Sequence, residues 1–123
     1  MKHLVMASAA LALFSLSTVP ARAVDSGDTL FHRYCSICHS NEPGQNKLGP
    51  SLAGVFGRPS GTAPGFSYSE GMASAHLTWD EATLDKYLTD PKATVPGNKM
   101  LFIGVKNPAE RQAIITYLKS LKS

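Results

Sequence analysis

Beyond its first two dozen residues, this 123-residue chain has no apolar run near the roughly 20 residues that a membrane-spanning helix needs. The working part of the protein is therefore expected to be soluble and not membrane-spanning. It has no dense Lys/Arg run and no array of aromatics for stacking bases, which argues against nucleic-acid binding. No segment keeps up the apolar–polar alternation of a strand, and there is no internal repeat or low-complexity stretch. These absences leave an all-α class. Cysteine is scarce, with only Cys35 and Cys38 in the whole chain.

What is present begins with a leader. Lys2 supplies a positive start, Leu4 to Leu16 is almost unbroken apolar sequence, and Ala21-Arg22-Ala23 fits the pattern for signal-peptide cleavage. The expected division is a cleaved secretory signal at residues 1–23 and one domain at 24–123. The full chain has 12 basic and 9 acidic residues. Removing Lys2 and Arg22 brings the net charge from +3 down to +1. Electrostatic docking must then come from local patches. A domain of about 100 residues buries a thin core, and eight prolines and ten glycines make much of it loop. A buried prosthetic group would supply the missing apolar mass.

Asp25 to His39 reads as a short helix capped by Asp25 or Ser26, with Leu30, Phe31, Tyr34 and Cys38 at helical spacing. Ser40 to Gly65 is a long connection full of Pro and Gly, a length that is uncommon unless the loop is functional or wraps something. Thr78-Trp79-Asp80-Glu81 reads as a capping box with Thr78 as cap, opening a helix that stops near Asp90-Pro91. Asn107-Pro108-Ala109-Glu110 opens a last helix that runs to the end, with Ile114, Ile115, Leu118 and Leu121 on one face.

Cys35-Ser36-Ile37-Cys38-His39 carries the chemistry. Cys-x-x-Cys-His is the attachment pattern of a c-type haem, in which both thiols add to the vinyl groups and the imidazole stands beside the iron. A disulfide between the two would close a very small loop and stabilise little. A thioredoxin-like pair needs a βαβ setting that is missing here. Zinc needs further ligands, and His32 and His76 do not form a paired motif. A second axial ligand has to come from elsewhere, and Met opposite His raises the potential. After cleavage two methionines remain, Met72 and Met100. Spacing favours Met100, which follows the Pro96-Gly97-Asn98-Lys99 turn and precedes Leu101-Phe102.

The region from 24 onward resembles class I cytochrome c of the long-loop mitochondrial and bacterial type over nearly its whole length. The matching stretches are Cys35–His39, Gly49-Pro50, Gly54–Arg58, Ala63–Tyr68, Thr78-Trp79, Tyr87-Leu88, Pro91-Lys92, Pro96–Met100 and Tyr117-Leu118. The resemblance implies crossing first and last helices, with Gly27 and Phe31 meeting Tyr117, and long loops round one covalent haem c. It implies metal ligation by His39 and Met100, and a Pro50 carbonyl orienting His39. It implies that Arg58, Tyr68, Trp79 and Asn98 lie near the propionates and Tyr87 near Met100. The chain departs from the family in four places. The loop after His39 is one residue shorter and lacks a histidine, leaving Gln45 or Asn46 to pin it. Met72 stands where Asn is usual, Asn98 where Thr is common, and Tyr34 where a basic residue is usual.

Iron bound on both faces has no open position, so the expected role is electron transfer through an exposed haem edge and not enzymatic catalysis. Lys92 and Lys99, with Lys47, Lys106 and Arg33, are candidates for a basic docking ring. The expected partners are a bc-type quinol oxidase complex and a terminal oxidase, met transiently by a monomer in a bacterial periplasm. A dedicated acceptor for one dehydrogenase and a donor to a photosynthetic reaction centre are the alternatives within that role. A peroxidase or gas sensor with a detachable Met100 is the alternative outside it.

Overall fold

The structure, a computed structural model, describes residues 12–123. The leader expected at residues 1–23 lies partly outside these. Five helices follow one another: α1 (Gly27–Tyr34), α2 (Glu70–Ala73), α3 (Glu81–Thr89), α4 (Pro91–Thr94) and α5 (Pro108–Ser120). Among the described residues the only extended pairing is an isolated antiparallel bridge between Pro59 and Thr78. No helix among them is long and apolar enough to cross a membrane.

Each helix starts where a side chain can satisfy a free backbone N–H. Ser26 accepts from the Thr29 N–H, and the Asn107 side chain accepts from both Ala109 and Glu110. The cap of α3 is Asp80, which accepts from the Thr83 N–H at 2.8 Å, and not Thr78 as the capping-box pattern suggested. The Thr78 backbone is occupied by its bridge to Pro59 instead. α1 also ends earlier than its pattern, at Tyr34, because the Cys35 and Ser36 N–H groups both converge on the Phe31 carbonyl. The Cys35–His39 motif therefore lies in the turn after the helix. α5 stops at Ser120, short of the chain end.

α1 and α5 cross at Gly27. A Cβ there would fall against the Ala113 carbonyl oxygen and 2.7 Å from the Tyr117 Cβ, so only glycine allows this approach. Phe31 packs on Tyr117 with ring centroids 5.3 Å apart, and Leu30, Phe31, Ile114 and Ile115 are all buried. α3 joins the pair through Arg111, whose Nε donates to Asp85 at 2.8 Å while a terminal nitrogen donates to the Val105 and Lys106 carbonyls. That buried guanidinium ties α3, α5 and the returning chain together, and leaves the long loops to enclose what lies beside the helices.

Candidate haem site

Those loops and the inner faces of α1, α3 and α5 surround a cavity of about 490 Å³, within the range of cofactor-sized sites. Cys35, Cys38 and His39 line one side. Met72, Met100, Tyr68, Trp79 and Tyr87 line others, with Leu84, Leu88, Ile114 and Leu118 as apolar floor. Pro50, Arg58 and Asn98, the remaining residues expected at the site, are in its wall too. Lys92 is exposed outside it.

The turn that carries the motif is closed by the Cys38 and His39 N–H groups, both donating to the Cys35 carbonyl at 3.1 and 2.9 Å. The two cysteines are not joined to each other. Burial, and secondarily Cys38, pushes the Cys35 thiol up to about 11, so it stays protonated until it reacts. His39 Nδ1 donates to the Pro50 carbonyl at 2.7 Å, which leaves Nε2 as the free ring nitrogen. Burial lowers the His39 pKa, keeping the ring neutral and able to bind a metal. Gly49 leaves room for the ring: a Cβ there would meet Nδ1 at 2.7 Å and Nε2 at 2.9 Å.

Both methionines reach the cavity, Met72 buried and Met100 half-buried, and they differ in their neighbours. The Tyr87 hydroxyl lies 3.9 Å from the Met100 sulfur, at the outer limit of a hydrogen bond to sulfur. Burial pushes that hydroxyl up to about 12, so it remains a donor at any ordinary pH. The Met100 N–H donates to Asn98 Oδ1 at 3.0 Å. Asn98 spends its own amide on the Pro91 and Val95 carbonyls, so it organises the loop that carries Met100 and has no spare donor for the cavity. Tyr68 likewise accepts the Ala63 N–H at 2.9 Å, and Trp79 stacks obliquely on Tyr87 with centroids 4.9 Å apart.

The place of the missing loop histidine is taken by Asn46. Its Nδ2 donates to the Pro64 carbonyl at 2.9 Å, and its Oδ1 accepts from the Ser51 N–H at 3.0 Å. Phe66 in the cavity wall, and Tyr34 stacked on Phe102 at 6.2 Å, are contributions that the chain order alone did not single out.

The residues present fit a haem. The cavity is apolar, two thiols and a fixed imidazole share one wall, and a thioether is available on another. Arg58 adds a direct sign. Its Nε is buried with no partner although both terminal nitrogens make long bonds to the Ser51 and Ala53 carbonyls. An unpaired buried donor is costly, and an anionic group such as a propionate would satisfy it.

Comparison with known proteins agrees. The cytochrome c family model matches residues 24–122. Cytochrome c2 iso-2 of Magnetospirillum fulvum is 61% identical over 87 residues, covering 71% of this chain and 91% of that protein. Cytochrome c2 of Rhodomicrobium vannielii is 46% identical over 114 residues, covering 92% and 90%. Among solved structures, cytochrome cH from Methylobacterium extorquens superposes with a TM-score of 0.71 at 41% identity, over 76% of this chain and 94% of that one. The chain belongs to the cytochrome c family, with the class I all-α fold and one covalently held haem c, and is an electron carrier.

Proposed function

We propose that this protein is a periplasmic shuttle that takes single electrons from a bc-type quinol oxidase complex to a terminal oxidase, without enzymatic activity of its own. Cys35 and Cys38 would form the thioethers, and His39 Nε2 and the Met100 sulfur would bind the iron. The single observation that carries this reading is one apolar cavity in which His39 is locked by Pro50 while Met100 is met by Tyr87. The bound haem supplies a one-electron couple.

The chain's own residues do the rest. Pro50 fixes the imidazole, Tyr87 and Asn98 orient the thioether and its loop, and Leu84, Leu88, Ile114 and Leu118 keep water from the inner side. Arg58 offers its free Nε to a propionate. With His39 and Met100 both bound, the iron would have no open position for oxygen or peroxide. Lys92 and Lys99 would steer a partner with an acidic docking face, and the encounter would weaken with salt. Not all of the candidate ring is equally free. Arg33 is paired with Asp25 at 2.5 Å, Lys106 donates to the Thr89 and Ile103 carbonyls, Lys47 donates to Ser36, and Lys99 donates to the Ser67 carbonyl. Export would follow cleavage after Ala23, leaving a monomer at 24–123.

The test is oxidation of the reduced holoprotein by membranes that contain the terminal oxidase, followed against ionic strength. A rate that falls with salt, and falls further in Lys92→Glu, supports the shuttle. Rapid reduction by a single dehydrogenase, with no turnover by those membranes, would favour the dedicated-acceptor alternative. Amino-terminal sequencing of exported protein should begin at Val24.

A further inference from the structure

The one-turn helix α2 packs on a loop and not on another helix. Its second residue, Gly71, is so close to the Pro96–Gly97 turn that a Cβ would overlap the Pro96 carbonyl oxygen and lie 3.1 Å from the Gly97 carbonyl carbon. Gly71 is not among the glycines with positive φ. Backbone conformation therefore does not call for glycine here, and glycine in a helix is less favourable than alanine. The close approach is the reason that remains.

A second tie joins the same two segments. Lys99 Nζ donates to the Ser67 carbonyl at 2.7 Å and lies 5.5 Å from the centre of the Phe66 ring. Residues 66–71 thus grip the 96–99 turn at both ends, immediately before Met100. Beyond Met100, Leu101 is 95% and Ile103 77% exposed.

We propose that Gly71 is a positioning residue for Met100. The bare backbone of α2 lets the Pro96–Gly97 turn close down, and this contact sets how firmly the sulfur stays on the iron. The assignment rests on the reading of Met100 as axial ligand. An added methyl would press on backbone atoms, which cannot swing aside as a side chain can, so the turn itself must shift. A site loosened by about an ångström in this way keeps its parts but loses its grip.

The test uses ferric holoprotein: the weak far-red band of iron bound to Met sulfur, followed against pH, with the reduction potential and the far-UV unfolding curve measured alongside. Gly71→Ala should lose the band at a pH about one unit below wild type, a tenfold weaker hold, and its potential should fall. Ser69→Ala, which removes the α2 cap without adding bulk, should shift the same way by less. Gly27→Ala places an equal overlap at the α1–α5 crossing. It should lower the unfolding midpoint and leave the band's pH midpoint unchanged. A wild-type band that persists unchanged in Gly71→Ala, or is lost only in step with unfolding as in Gly27→Ala, overturns the role of Gly71. A wild type with no such band overturns the Met100 reading itself, and the Gly71 role with it.

Discussion

The helical crossing and the loop cage are held in different ways. α1, α3 and α5 meet one another through buried aliphatic and aromatic side chains and the buried Arg111. Residues 40–80 and 95–106 carry little regular structure. They rest on turn glycines and on side chains that bond to backbone, such as Asn46, Ser51, Asn98 and Lys106. The first region is joined chiefly by its own side chains, though its inner faces floor the cavity. The second is shaped round a space that the chain does not fill.

A figure makes the contrast concrete. An unfilled cavity destabilises by roughly 24 cal/mol per Å³. For about 490 Å³ that gives an upper value of about 12 kcal/mol, as large as the whole stability of an ordinary domain. Replacing both Cys35 and Cys38 by Ala should therefore have the largest effect: without attached haem the chain loses its near-UV signal and most of its helical circular dichroism. A native-like spectrum in that variant would break the comparison by showing that the cage stands alone.

Next in size is Gly27→Ala at the crossing, where overpacking against backbone should cost about 1–3 kcal/mol in denaturant unfolding. Asn46→Ala should cost about 1–2 kcal/mol, because it strands the Ser51 N–H and frees the Pro64 carbonyl. Its mark is faster amide exchange confined to residues 40–65. The smallest effect comes from His76, the only non-glycine residue with positive φ among those described. His76→Gly should raise stability by roughly 0.5–1 kcal/mol, read as a higher denaturant midpoint.

The two regions also differed in how far the sequence disclosed them. The last helix was legible from Asn107-Pro108 and its apolar face because cap, ring geometry and periodicity act locally. The start of α3 was not: Thr78 and Asp80 both suit a cap, and the choice was made by a bridge to Pro59, nineteen residues away. The attachment motif was legible by type, yet its extension of α1 was not, because the chain turns at Cys35 once two N–H groups share the Phe31 carbonyl. The short helices α2 and α4 carry too few residues to show a period. Asn46 and Gln45 were indistinguishable as substitutes for the loop histidine until the position of Pro64 selected Asn46. Met100 and Met72 both reach the cavity, and in the structure the Tyr87 hydroxyl meets Met100.

That last distinction is the account's centre, and one measurement tests it directly: the far-red absorption of ferric holoprotein in wild type, Met100→Ala and Met72→Ala. The band should be present in wild type and in Met72→Ala and absent in Met100→Ala. A band that survives in Met100→Ala, or disappears in Met72→Ala while Met100 is intact, would contradict it.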